Sequence, residues 1–265
     1  MSVAAIQEYY ATIAAIYDVE TASRGDLPCW ETLTEAWQPH ATLEYGCGTG
    51  RVAVPLALRA SRWGGRVIGI DISGDMLRRA ARRWEHEHEG GGAPAGALRL
   101  LPGDMRRDTC GHAVDLIIFA DDPLTHLCRR DELAATFRRV REQLLPGGRL
   151  VVEASLLPPE ARSPHRTVTT LSEGVVATPA GELDVRQDHP LLPAEHRACV
   201  RCTYRERERG VQIDATYDAH YLELAELVDL FGVAGCRLEE RWQDFSFRPL
   251  TAEAGMAVVT GTRTA

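Results

Sequence analysis

Residues 43–57, LEYGCGTGRVAVPLA, constrain this chain more than any other stretch. A short apolar run breaks into glycine at every second position, at Gly46, Gly48 and Gly50, and then turns amphipathic. Glycine stands where the backbone needs φ > 0, or where a ligand must approach the main chain closely. At the junction of a strand and a helix, the question such a loop raises is which ligand it serves.

The neighbouring pattern sets the architecture. From residue 42 to 155 strands and helices alternate, which predicts a parallel α/β sheet. TLEYG (42–46) reads as the first strand and RVAVPLALRA (51–60) as the helix after it. RVIGID (66–71) is the second strand, followed by a helix through GDMLRRAARRWEHEHE and a glycine-rich loop over 89–96. ALRLL (97–101) is a third strand, and AVDLIIFA (113–120) is apolar enough for a buried parallel position. RDELAATFRRVREQLL (130–145) has helical period and is stopped by PGG, and RLVVEASLL (149–157) is the fifth strand. Residues 3–18 read as a helix ahead of the sheet. From 158 to 218 proline, glycine and polar alternation predict a small antiparallel β insertion. A helix over 220–235, ending at glycine, and two closing strands in CRLEERWQDF and AGMAVVTGTR complete the chain. The expected organisation is an N-terminal helical cap (1–40), an α/β core (41–157), the insertion (158–218) serving an acceptor or a dimer contact, and the end of the core (219–265).

Composition narrows the partners. The formal net charge is −8 and every basic residue is arginine, a poor match to a nucleic-acid backbone. No apolar run reaches the roughly 20 residues of a membrane helix. The first twenty residues lack a basic start and hold two glutamates, unlike a secretory leader. Seven dispersed cysteines, an odd number, fit a reduced, cytoplasmic setting. Cys199 and Cys202 form a lone CxxC without a second pair, and His86 and His88 do not face each other on a helix, so no metal is expected.

Three cofactors use a glycine-rich turn after the first strand. A phosphate-binding loop of the Gly-Lys-Ser/Thr type needs lysine, and the chain has none. A dinucleotide fingerprint places its third glycine three residues after the second, where this chain has Arg51. The G-x-G-x-G form, preceded by Glu44, resembles motif I of class I S-adenosylmethionine-dependent methyltransferases. GIDIS (69–73), GDM (103–105) and LLPGGRLVVE (144–153) resemble further segments of that family in the same order, and YDVETASRGDLPCW resembles the cap of glycine/sarcosine and amino-sugar N-methyltransferases.

The resemblance implies a Rossmann-like, mostly parallel sheet whose last strand is antiparallel, with S-adenosyl-L-methionine as cofactor. It implies that Glu44, Gly46, Gly48 and Gly50 form the loop under the methionine part and that Asp71 holds the ribose diol. The alternative for Asp71 is a helix cap, a task Ser73 suits better. Ile72 and Met76 would touch ribose and adenine or serve as core; Asp104 and Met105 would clamp the adenine, with a turn-forming Asp the plain reading; Ala120 would line the pocket. Arg24 matches an arginine that holds the cofactor carboxylate, or is a surface residue, and Tyr9 and Tyr17 are cap residues over the methyl group or core.

The acceptor is expected beyond the fourth strand, at FADDPLTHL (119–127). Adjacent Asp121 and Asp122 would attract a cationic amine, and His126 would take up a proton; otherwise Asp122 caps the turn at Pro123 and His126 packs on a helix face. The expected activity is methylation of a small molecule or short peptide, at an amine nitrogen by preference, with the chain acting alone or as a homodimer. The arginine-only, alanine-rich composition suggests a bacterial enzyme that tailors secondary metabolites. O-methylation of a hydroxyl or carboxyl, and a cofactor-binding protein without transfer, are the alternatives.

Overall fold

The computed structural model describes residues 2–22, 24–88, 93–94, 96–157, 168–178, 181–192 and 195–265. Seven strands make the main sheet: β1 (Ala41–Tyr45), β2 (Arg66–Asp71), β3 (Leu98–Pro102), β4 (Val114–Phe119), β5 (Leu144–Ser155), β10 (Cys236–Trp242) and β11 (Met256–Arg263). Their order is β10-β11-β5-β4-β1-β2-β3. Strands β1 to β5 run parallel, and β11 lies antiparallel between β5 and β10.

Period-two alternation on β4 shows why the sheet is buried on both faces. Ile117 and Phe119 pack with Phe137 and Val140 of α6 (Arg130–Gln143) and Leu227 and Phe231 of α7 (Leu224–Val233). Leu116 and Ile118 face the other way, toward Trp30 and Leu33 of α3 (Leu27–Trp37) and Leu56 and Ala57 of α4 (Ala53–Ala60). The helix α5 (Gly74–His88) follows β2, with the Ser73 hydroxyl accepting the Met76 N–H at 3.4 Å.

A second sheet is a four-stranded antiparallel meander, β6 (Val168–Thr178), β7 (Gly181–Leu192), β8 (Arg197–Glu206) and β9 (Gln212–His220). Its apolar face, with Ala198, Val200, Cys202 and Tyr204, packs against Tyr9 and Ile13 of α1 (Val3–Ile13). The cap and the second sheet thus share a core that stands over the strand ends.

Three expectations shift. The helix over 3–18 is two helices, α1 and α2 (Tyr17–Glu20), broken at Ala14–Ile16. Asp18 in α2 draws the chain inward: it accepts from the Thr49 hydroxyl at 2.5 Å and pairs with Arg83 at 2.8 Å. The segment Pro146–Gly148 does not stop α6, which already ends at Gln143; it lies inside β5 as an irregularity, with Gly147 at φ +77°. His220 belongs to β9, paired with Arg197, so α7 starts four residues later. Of the loop 89–96, residues 89–92 and 95 lie outside the described residues, as do 158–167 at the head of the insertion.

Candidate active site

The three glycines of the loop have separate tasks. All take positive φ, +71° at Gly46, +52° at Gly48 and +74° at Gly50. A Cβ on Gly46 would stand 2.7 Å from Pro123 Cβ, so this glycine admits the turn after β4. A Cβ on Gly50 would meet Val54 Cγ2 at 2.9 Å and Ala80 Cβ at 3.1 Å, so that glycine serves helix packing. Only at Gly48 is space left open, with Tyr17 Cε1 the nearest atom at 3.9 Å.

That space belongs to a cleft of about 630 Å³ at the carboxyl ends of β1, β2 and β4, where open α/β sheets bind ligands. It is lined by Gly46, Gly48, Asp71, Ile72, Asp104, Met105 and Ala120, with Tyr17 and His126 closing it. Asp71 ends β2 and accepts the N–H of Gly48 and of Ser73, each at 2.8 Å. Burial pushes its carboxyl up to about 6 against the pull of those two bonds. Asp104 is gripped by the Arg106 guanidinium, whose bonds outweigh burial and hold it below its ordinary value.

A second chamber of about 1150 Å³ lies under the antiparallel sheet. Gln187 and His189 of β7, Tyr217 of β9 and Tyr221 just beyond it form its roof, and Thr125, Glu153 and Ser155 stand opposite. The cleft and the chamber share four residues: Tyr10, Tyr17, Asp121 and His126.

The turn between them is strained. Asp121 and Asp122 are consecutive non-glycine residues at φ +61° and +47°, a conformation that persists only where the surroundings enforce it. Two reciprocal bonds from β5 do so: Glu153 Oε2 accepts the Asp121 N–H at 2.6 Å, and Asp122 Oδ2 accepts the Ser155 N–H at 3.0 Å. Arg24 then bridges Asp121, at 2.8 Å, and Glu153, while the Tyr17 hydroxyl donates to Asp121. Burial raises Asp122 to about 7, and raises Glu153 as well despite Arg24. His126 is 5% exposed, its Nε2 lies 2.7 Å from the Tyr10 hydroxyl, and its Nδ1 has no partner among the described residues. Burial pushes this imidazole down to about 4, so it is neutral at ordinary pH.

Six residues expected at the cofactor or the acceptor stand elsewhere than in the cleft. Glu44 is buried beneath the loop at 3% exposure, Gly50 packs between helices, and Met76 joins the core under the cap. Tyr9 points to the chamber, its ring 4.7 Å from that of Tyr217, because Tyr9 and Tyr10 are a helical step apart. Arg24 also faces the chamber, occupied by carboxylates of this chain, and Asp122 lines the chamber alone. Sequence reasoning passed over Tyr10, Arg106, Glu153, Tyr217 and Tyr221. Glu153 carried a signal, as the one acid inside the apolar run RLVVEASLL. Cys199 is exposed and Cys202 buried on opposite faces of β8, and no metal-binding cluster occurs among the described residues.

The cleft fits the cofactor that the sequence implies. Its floor is a glycine a Cβ would obstruct, a buried carboxyl stands at the end of β2, and apolar Ile72, Met105 and Ala120 offer faces to a flat base. Comparison with known proteins agrees. Residues 42–148 match the model of a methyltransferase domain family. No curated protein sequence matches. Among solved structures, the CcbJ methyltransferase from Streptomyces caelestis is similar at 27% identity and a TM-score of 0.74, over 97% of this chain and 98% of that one. CalS10, an amino pentose methyltransferase from Micromonospora echinaspora, shares the fold at 19% identity and a TM-score of 0.66, covering 94% and 97%. So does the sugar N-methyltransferase KedS8 from Streptoalloteichus, at 17% and 0.68 over 94% and 93%. With its strand order and its glycine cleft of the same kind, the chain carries a methyltransferase domain over residues 42–148 and is similar to class I S-adenosylmethionine-dependent methyltransferases.

Proposed function

We propose that the protein methylates an amine nitrogen of a small molecule or short peptide, held in the chamber under the antiparallel sheet. The observation that carries this reading is charge. Glu20, Asp121, Asp122 and Glu153 line the chamber, and Arg24 is the one arginine among its described residues. Such a surface selects a cation and disfavours a phosphorylated or carboxylated acceptor. The solved relatives named as an amino pentose methyltransferase and as a sugar N-methyltransferase, and the glycopeptide N-methyltransferase MtfA at 16% identity, support the same class.

When bound, the cofactor supplies a methyl group on a positively charged sulfur, already activated for in-line displacement. The protein's part is alignment and exclusion of water. Gly48 lets the donor lie against the backbone, and Asp71 and Asp104 hold its nucleoside end. Tyr10, Tyr17, Asp121 and His126 frame the opening between cleft and chamber, so the acceptor nitrogen meets the methyl there. The antiparallel sheet encloses the acceptor with Gln187, His189, Tyr217 and Tyr221. Tailoring of bacterial secondary metabolites is the setting we infer for such a chamber.

The test is incubation with methyl-labelled S-adenosylmethionine and paired acceptors, aminohexoses and amino-terminal dipeptides beside their hydroxyl analogues. Label on nitrogen of the amine member, and none on the hydroxyl analogue, is expected. Label on oxygen, or no transfer to any amine while a hydroxyl partner is methylated, overturns the reading.

A further inference from the structure

An amine enters this chamber as an ammonium ion, with its lone pair tied up in an N–H bond. A carboxylate surface strengthens that state. The proton must therefore go to a group lining the chamber that holds the acceptor, and the chamber holds several titratable side chains.

Most of them are already engaged. Both Asp121 oxygens are occupied, Oδ1 by Arg24 and Oδ2 by the Tyr17 hydroxyl. Glu153 gives Oε1 to Arg24 and Oε2 to the Asp121 N–H. Glu20 accepts from Gln187 and from the Tyr204 hydroxyl. His189 is bonded to the Tyr221 hydroxyl at 3.1 Å. His126 has Nε2 against Tyr10; its Nδ1 has no partner among the described residues, but the ring is 5% exposed and is covered edge-on by the rings of Tyr10 and Tyr217 at 5.4 and 5.3 Å. Asp122 differs from all of these. It makes no ion pair among the described residues; its bonds come from the N–H and the side chain of Ser155, and it lines the chamber rather than the cofactor cleft.

We infer that Asp122, and not His126, takes the proton from the acceptor amine. The inference rests on the amine reading above. The ammonium passes one proton to the Asp122 carboxylate; the freed lone pair forms the N–C bond as the donor's C–S bond breaks with its electron pair on sulfur; and Asp122 returns its proton to water when the chamber empties. Burial prepares the group for this task by raising it to about 7, where it is partly charged at neutral pH, whereas burial holds His126 near 4. A general base serves best when its pKa lies near the working pH. The groups that face Asp122 are Asp121 on its own turn, Glu153 and Ser155 on β5, Arg24 before α3, Tyr10 on α1, Tyr217 on β9 and Tyr221. Arg24 is the cation among them; it is paired with Asp121 and Glu153 and lowers Asp122 by less than burial raises it. Glu153 is then a positioning residue: by holding the Asp121 N–H it keeps the turn that presents Asp122.

The experiment is a carbon-13 NMR titration of the full chain with carboxyl-labelled aspartate, bound to S-adenosylhomocysteine, with Asp122→Asn and Asp122→Ser to assign the resonance. One aspartate should titrate near neutral pH and be missing in both variants. With methylammonium chloride present, against an equal concentration of sodium chloride, that titration should move down by at least about one pH unit, as an ammonium beside a carboxylate favours its charged form. A titration of Asp122 near 4, as for a free aspartate, overturns the inference, as does no response to methylammonium. In methyl transfer to an amine, the acidic limb of the pH profile should vanish with Asp122→Asn and persist with His126→Gln; the reverse pattern refutes it. Label found on oxygen would instead remove the amine reading, leaving the titration to stand or fall separately.

Discussion

Replacing Gly48 by alanine separates cofactor binding from folding. The residue sits at φ +52°, where an L-residue costs about 1–2 kcal/mol more than glycine. Its new Cβ would meet nothing closer than Tyr17 Cε1 at 3.9 Å, an ordinary contact, so no steric term adds to that cost. A loss of about 1 kcal/mol corresponds to a fall in Tm of about 2–4 °C for a chain of this length. The same Cβ, however, projects into the cleft where the donor must touch the backbone. A methyl group there should weaken S-adenosylhomocysteine by tenfold or more, about 1.4 kcal/mol, and Gly48→Val should abolish binding. Gly50→Ala is the contrasting variant. Its Cβ would press on Val54 and Ala80 at 2.9 and 3.1 Å, away from the cleft. Overpacking of that kind costs about 1–3 kcal/mol beyond the backbone strain, so the Tm should fall further while Kd holds. Differential scanning calorimetry gives the first quantity and isothermal titration the second. If Gly50→Ala weakens the ligand more than Gly48→Ala does, the division of labour argued for the loop is wrong, and so is the place given to the cofactor.

Two further variants test single groups. Asp71→Ala should weaken the cofactor by about 1.5–3 kcal/mol in calorimetry, the range for a lost charged hydrogen-bond partner; because burial raises this carboxyl to about 6, wild-type affinity should also decline as the pH falls through that value, and a flat affinity from pH 7.5 to 5 would reduce Asp71 to a brace for Gly48 and Ser73. His126 is neutral in the fold down to about 4, whereas the unfolded chain takes up a proton near 6.5; its contribution is present above pH 6.5 and lost as the pH falls toward 4, by up to about 3 kcal/mol, so urea melts should show wild type losing ground to His126→Gln across that window, and a constant difference would mean the imidazole is not buried neutral.

Much of the sheet was legible because its signals are local. The apolar alternation of β4, the glycine break after β1 and the carboxylate at the end of β2 each lie within a few residues of what they determine. The break in the first helix was not local: Ala14–Ile16 bends because Asp18 reaches Thr49 and Arg83, far along the chain. The same holds for the contacts that join cap to sheet, Tyr17 to Asp121 and Arg24 to Glu153, over 104 and 129 residues. Nor could spacing distinguish the three glycines, since all share positive φ and only their surroundings differ. Tyr9 and Tyr10 show the limit at its finest, because one helical step sends the first to the chamber and the second to the opening.

Protonation is the property furthest from the sequence, and it bears most on the chemistry. By unperturbed values histidine is the neutral-pH base and aspartate a fixed charge. Burial in the same small volume reverses that order, because removing water penalises whichever form is charged: the imidazole loses its proton and the carboxylate gains one. His126 and Asp122 are four residues apart and both line the chamber, yet burial carries one down to about 4 and the other up to about 7. Arg24 pulls Asp122 down without undoing the effect of burial, its guanidinium being paired with Asp121 and Glu153. Were Arg24 free to reach Asp122, its charge would restore an ordinary carboxylate there. The cap that closes the cleft therefore also tempers the proton chemistry of the chamber, through one guanidinium placed just before α3.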